Sequence, residues 1–358
     1  MTQRPQKLSR RGAIKLGAQS AVAATAATAC KTPGNSSALS ESKVETAHCL
    51  VLGAGVAGLT AASMLESHWQ GRGKVVVLEG SGRAGGRIWT LRNTFAGPVE
   101  LGAEFIHRDS LDVTLWDAVQ FFDLPTVKLP KMGEGLVYYP PRFKEAKRTT
   151  YAAMAWNIFK AMTMFPAIDL YRGPDLTAGQ WLEKRRYQDL GRDFVAMALT
   201  GHMPGTLDDL SIRGFASDKL SHQLNERHEH YITTGYGSLI DALKAPLDVR
   251  YNQTVNRIAY SPAGVSVTTA DGKTYQAPKA IVTFSVGMLK SGEVEFYPPL
   301  PRQKQEALSY LEAGHHSKYI MQFRERFWPE DMFMGHYPWH ERQAGKTYFH
   351  VFYDQPQK

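Results

Sequence analysis

The chain has 358 residues, 43% of them hydrophobic, enough to bury a large core as one or two domains. Residues 1–29 hold Arg4, Lys7, Arg10, Arg11 and Lys15 and no acid, which is +5 of the net +8. The remaining +3 is too mild for a nucleic-acid partner. Two cysteines, Cys30 and Cys49, exclude a disulfide framework and a C-x-x-C metal site, and no metal is expected.

The N-terminus reads as an export signal. Ser9-Arg10-Arg11-Gly12-Ala13-Ile14-Lys15 resembles a twin-arginine motif, and an Ala-rich apolar stretch from Leu16 to Ala29 follows, too short for a permanent span. Ala27-Thr28-Ala29 fits cleavage by a signal peptidase. Cys30, directly after it, resembles a lipoprotein acceptor, so the expected location is periplasmic or lipid-anchored at the membrane surface; a disordered basic tail is the alternative. Lys31 to Glu45 is a polar, Ser-rich linker.

A βαβ unit comes next: a strand at His48–Leu52, a helix from Val56 to Glu66, and an apolar strand at Lys74–Leu78, as in a buried parallel sheet. Between the first strand and the helix lies Gly53-Ala54-Gly55-Val56-Ala57-Gly58. Gly53 permits the tight turn, Gly55 lets backbone amides approach a pyrophosphate at the helix N-terminus, and Gly58 lets helix and sheet pack closely. Glu79 ends the second strand, placed for ribose hydroxyls, and its charge disfavours a 2′-phosphate. A bare NAD fold has no use for the segment Gly80 to Arg87 that follows, with Arg83, Gly85, Gly86 and Arg87. A larger cofactor does, because backbone must pass its pyrophosphate and an Arg can neutralise the phosphates. The motif therefore points to FAD.

Ser110 to Leu224 reads as mainly helical: an amphipathic Thr149–Ala167, a Thr177/Gln180 capping box, and aromatics such as Trp156 and Tyr171 that line either a pocket or a core. From Tyr231 the pattern reverts to a helix at Ser238–Lys244 and strands at Asp248–Tyr251, Val255–Tyr260, Val265–Thr269 and Ala280–Phe284, with a hairpin turn at Asp271-Gly272. A helix at Gln303–Glu312 and a buried strand at Ser317–Arg324 complete the expectation. His228 and His230 share a strand face, but spacing indicates no third metal ligand.

The acid, the Gly85-Gly86-Arg87 run and their order resemble the flavin-containing amine oxidase family, which includes monoamine oxidases, polyamine oxidases and flavin histone-lysine demethylases. Ser81 departs from the family pattern, where Arg is common; the phosphate contact is then missing or comes from Arg83. Glu100-Leu101-Gly102-Ala103-Glu104-Phe105-Ile106-His107 resembles the segment that passes the flavin ring, so Gly102, Ala103, Glu104 and Phe105 are cofactor candidates. Val255 matches the position whose backbone holds adenine. Thr283–Lys290, Pro298-Pro299-Leu300-Pro301 and Phe327-Trp328 follow in family order.

The resemblance implies an α/β fold with a Rossmann-like FAD-binding domain of glutathione-reductase type, amine oxidase branch, and a mixed helical and β substrate domain. Residues 1–29 are then the signal peptide and 30–45 the linker. Residues 46–109 and 225–290 form the FAD-binding domain, 110–224 a helical substrate-domain insertion, and 291–358 its second, incomplete part. Lys318 matches the family lysine that holds a water near flavin N5; a lysine snorkelling from an edge strand is the alternative. His107 matches a histidine near the amine site of animal polyamine oxidases, or caps a loop.

The implied reaction oxidises an amine to an imine, hydrolysed to a carbonyl compound, with dioxygen reduced to hydrogen peroxide. Two other readings remain open. One is an L-amino-acid oxidase or tryptophan 2-monooxygenase, though such relatives place an Arg just after the Gly-Ala where this chain has Glu104. The other is a non-catalytic remnant or subunit. The Gly-Glu motif and aromatic pair of the family's last stretch are not found, so a fragment, or completion by a second polypeptide, is also expected.

Overall fold

A computed structural model describes residues 44–107, 114–128, 163, 166–186, 199–200, 205–217, 229–314 and 317–325, together with strand backbones at Glu134–Val137, Lys147–Thr150, Met334–Pro338 and Tyr348–Phe352. The export signal, Cys30, Trp156, His228 and Phe327-Trp328 lie outside the described residues.

Four parallel strands form the central sheet, in the spatial order Asp248–Arg250, Val75–Leu78, Cys49–Leu52, Lys279–Val282. The two middle strands are buried along their whole length, which is why both read as unbroken apolar runs. Their side chains alternate between two faces, as the strand period of two requires. Val51, Val75 and Val77 meet Leu59 and Ala62 of the Val56–Trp69 helix and Leu239, Ile240 and Leu243 of the Gly237–Lys244 helix. Leu50, Leu52, Val76 and Leu78 meet Val255, Ile258, Val267 and Tyr275 on the other side. That second layer is a five-stranded sheet in the order Glu45–Thr46, Thr274–Ala277, Gly264–Thr269, Val255–Ser261, Glu295–Tyr297. The result is a helix–sheet–sheet sandwich built on a Rossmann-like βαβ unit.

The Asp271-Gly272 hairpin forms as its sequence predicts, with the Thr269 hydroxyl donating to Asp271 at 2.6 Å. The Thr177 capping box also forms, through Gln180 N–H to Thr177 Oγ1 at 3.2 Å and Thr177 N–H to Gln180 Oε1 at 3.1 Å. That helix, Ala178–Lys184, belongs to a separate small core of Ile168, Trp181, Leu182, Leu199, Leu207, Ile212 and Phe215. Tyr171 packs against this core and donates its hydroxyl to the Pro174 carbonyl at 2.9 Å, so it serves the core and not a pocket.

The region expected to be helical is mixed. Thr126–Lys128 pairs with Glu229–Ile232, and Glu134–Val137 and Lys147–Thr150 pair with each other, the former also with Met334–Pro338. The expected strand at Ser317–Arg324 is not formed: the segment has no ladder partner among the described residues, and Tyr319 and Met321 are 81% and 72% exposed. Its alternation of apolar and polar residues matches a strand, but a strand also needs a neighbouring backbone to pair with.

Candidate active site

The C-terminal ends of all four parallel strands converge, and each delivers one component. Leu52 leads into the Gly53–Gly58 turn, Leu78 into Glu79, Arg250 into Asn252–Val255 and Val282 into Thr283. In open α/β sheets this edge is where ligands bind.

The turn is held by backbone and by Thr283, whose hydroxyl donates to the Leu52 carbonyl at 2.9 Å. A Cβ on Gly58 would lie 2.0 Å from the Gly53 carbonyl oxygen, so this position admits only glycine. A Cβ on Gly55 would meet nothing within 4 Å; it faces open space. The second Gly-rich segment closes on the first: Gly85 N–H donates to the Ala54 carbonyl at 2.8 Å, and Gly86 packs beside Gly55. Two segments thirty residues apart thus make one backbone surface.

The Val56–Trp69 helix begins on this surface. Gly55 caps it without a side-chain hydrogen bond, and no acid lies in its first turn. The first intrahelical bond is from Leu59 N–H to the Gly55 carbonyl, leaving the earlier amides for an anion. Glu79 accepts from Ala54 N–H at 2.7 Å with one oxygen and from the Ser81 amide and hydroxyl at 2.9 and 2.8 Å with the other. Ser81, which departs from the family pattern, therefore orients the ribose-side carboxylate. Asn252 N–H to Ser81 and Gln253 N–H to Glu79 carbonyls, at 3.0 and 2.8 Å, bring Val255 against the same loop.

The two arginines divide the work. Arg83, expected as a phosphate contact, donates to the carbonyls of Ala84 and Ile88 at 3.2 Å and Gly86 at 2.7 Å, and lies over the Trp89 ring at 4.3 Å. It clasps the loop. Arg87 is exposed, and its guanidinium has no hydrogen bond or ion pair among the described residues. Open amides, a free cation, an acid at the ribose position and an open face at Gly55 fit the diphosphate and adenosine of FAD.

Gly102 is used differently from expectation. A Cβ there would lie 1.8 Å from the Arg87 carbonyl oxygen, and Ala103 N–H donates to that same oxygen at 3.0 Å. Its lack of a side chain thus joins the flavin-passing segment to the Gly-rich segment, and Ala103 is left exposed. Buried Glu100 anchors this segment, accepting from Tyr236 N–H at 2.7 Å and the Thr90 hydroxyl at 2.8 Å. Burial pushes the Glu100 carboxyl above the usual carboxylate range, against those hydrogen bonds. Burial likewise pushes the Tyr236 phenol up to about 12.

Glu104 and Lys318 meet. Lys318 Nζ donates to Glu104 Oε2 at 2.7 Å and to the Glu100 carbonyl at 3.2 Å. Tyr231 donates its hydroxyl to Glu104 Oε1 at 3.0 Å, and its ring lies 5.1 Å from that of Phe105. Sequence reasoning missed Tyr231, whose position carries no motif of its own, and gave Thr283 only as the first residue of the Thr283–Lys290 segment. The signal that could have found the pair was the acid at 104, set in an apolar Gly-Ala-x-Phe-Ile run, where a buried charge needs a cation. His107 is placed as backbone only, opposite Glu229. The His230 ring meets that of Trp116 at a tilt, with centroids 4.6 Å apart.

A family model described as "Flavin containing amine oxidoreductase" matches residues 56–353. The human protein named lysine-specific histone demethylase 2 is 29% identical over 329 residues, covering 86% of this chain and 39% of that protein. Polyamine oxidase 2 of Arabidopsis thaliana is 28% identical over 322 residues, covering 82% of this chain and 62% of that one. The chain thus spans less than two thirds of these relatives' length. A solved wild-type putrescine oxidase with putrescine bound superposes with a TM-score of 0.63 at 20% identity, over 74% of this chain and 64% of that one. At that identity the likeness establishes the fold.

Proposed function

The chain belongs to the flavin-containing amine oxidoreductase family, and from that premise we propose that it oxidises a small aliphatic amine with dioxygen as acceptor. One amine, one dioxygen and one water become a carbonyl compound, a free amine or ammonia, and hydrogen peroxide. FAD, when bound, would supply the two-electron oxidation of the amine. The chain's own residues hold and insulate it. The amides before Leu59 and the cation of Arg87 are assigned to the pyrophosphate, Glu79 to the ribose and the Val255 backbone to adenine. Lys318 is assigned to a water that serves imine hydrolysis or flavin reoxidation.

The observation that carries the choice of an amine is the Glu104 carboxylate, directly after Gly102-Ala103. An amino-acid oxidase of this kind needs an Arg there for the substrate carboxylate, and Glu104, tied to Lys318 and Tyr231, does not offer one. The names of the polyamine oxidase relative and the putrescine oxidase neighbour support the same class. The reading keeps residues 46–109 and 225–290 as the FAD-binding domain, and takes Arg10-Arg11 and the apolar stretch after them as an export signal.

The test is the visible spectrum of the purified chain, followed by anaerobic mixing with spermine, benzylamine or tryptophan. The expected result is bound flavin bleached by an amine and not by tryptophan. Bleaching by tryptophan alone overturns the substrate class, and a colourless chain that takes up no FAD overturns the enzyme. Exchange of Lys318 for Met is expected to slow reoxidation by air of the reduced enzyme.

A further inference from the structure

The neighbour of the assigned lysine is a buried carboxylate. Glu104 is 8% exposed at its side chain and Lys318 24%, and they lie 214 residues apart in sequence. Their contact at 2.7 Å is the sole ion pair among the described residues in which the acid is buried to this degree. Burying a charge is costly unless it is paired and hydrogen-bonded, so this arrangement must be satisfied on both sides. Glu104 is satisfied on both oxygens, by Lys318 and by the Tyr231 hydroxyl. An ammonium has three donors. Lys318 directs two of them, to Glu104 and to the Glu100 carbonyl.

Among the described residues the Lys318 segment has no strand partner, and Tyr319, Met321 and Phe323, which follow it, are exposed. The two acceptors, by contrast, sit on an anchored segment: Gly102 presses on the Arg87 carbonyl, and Glu100 is held by Thr90 and Tyr236. Tyr231 lies on a strand paired to Ile106–His107, the continuation of that segment.

We infer that Glu104, oriented by Tyr231, positions Lys318: it is the fixed point from which the lysine's remaining donor is aimed. Glu104 is a positioning residue, acting through Lys318. The inference rests on the role given to Lys318 in the proposed amine oxidation, and its test separates the two.

Two measurements are made on the full chain as wild type, E104Q, K318M and the E104Q/K318M pair, with Y231F as a milder variant. The first is the urea midpoint without FAD. E104Q and K318M each lower it, and the double variant lowers it by clearly less than their sum, because each single change strands a partner. The second, with FAD bound, times air reoxidation after photoreduction, so that no amine is needed. E104Q slows it on the order of tenfold or more, and Y231F slows it less. In the K318M background E104Q has no further effect. Additive urea midpoints, or an E104Q variant that reoxidises at the wild-type rate while K318M is slow, overturn the inference. If K318M itself reoxidises normally, the lysine's assignment falls, and the non-additivity of the midpoints alone decides whether Glu104 holds it.

Discussion

The two ends of the site are built by different means. At the pyrophosphate end, backbone meets backbone: Gly85 on Ala54, Gly86 beside Gly55, and the first turn of the Val56–Trp69 helix facing the same surface. The parts lie within about thirty residues and spring from adjacent strands of one buried sheet. At the Lys318 end, side chains meet across long stretches of chain, Tyr231 to Glu104 and Glu104 to Lys318, beside a segment that stands largely exposed. A nucleotide seat made of main chain can be specified by where glycine occurs. A reactive centre made of side chains depends on which elements the whole fold brings together.

The contrast breaks first at the glycines. Alanine at Gly58 or Gly102 puts a Cβ within 2.0 or 1.8 Å of the Gly53 or Arg87 carbonyl oxygen. Each variant is expected to lose roughly 3 kcal/mol of stability without FAD, the upper range for overpacking. Urea denaturation checks this, and a loss below about 0.5 kcal/mol would mean the close contacts are relieved cheaply.

The arginines sharpen it next. R83A removes donors from three carbonyls and uncovers Trp89, and is expected to cost about 1–3 kcal/mol in the FAD-free chain. R87A is expected to leave that stability within about 0.5 kcal/mol, as for an exposed, unpartnered side chain, yet to weaken FAD binding. Thermal melts with and without FAD distinguish them; the opposite pattern would reverse the two assignments.

The smallest effect concerns pH. The Glu100 carboxyl is raised by burial above its ordinary value of 4.5. Between that value and its folded pKa the folded chain binds a proton that the unfolded chain releases, so stability falls as pH rises through this window. E100Q can still accept from Tyr236 N–H and does not ionise, so its stability should stay flatter from pH 4.5 upward than that of the wild type. Identical slopes in urea titrations at stepped pH would remove the buried carboxyl as the source.

Much of the first end was legible. Cys49–Leu52 and Val75–Leu78 are apolar at every position because both sheet faces are covered, and Gly58 is where helix meets turn. Thr177 with Gln180 and Asp271-Gly272 carry their geometry within four residues. Arg83 is expected as a phosphate contact, yet its donors serve the carbonyls of Ala84, Ile88 and Gly86, since a guanidinium suits carbonyls as well as phosphates and only the fold of Ala84–Ile88 sets its direction. Ser317–Arg324 was misread because alternation reports two-sidedness and not the presence of a partner strand. Tyr231 was not legible at all: its role depends on Glu104, 127 residues away.

Gly55 offers the most direct test that the two Gly-rich segments form the FAD seat. A Cβ there meets no protein atom within 4 Å, so G55A should unfold like the wild type when both are free of FAD. Titration with FAD, followed by flavin fluorescence, should then show tight uptake by the wild type and affinity weaker by at least about tenfold in G55A, a difference of about 1.4 kcal/mol. Equal FAD affinity in the two proteins would contradict the account.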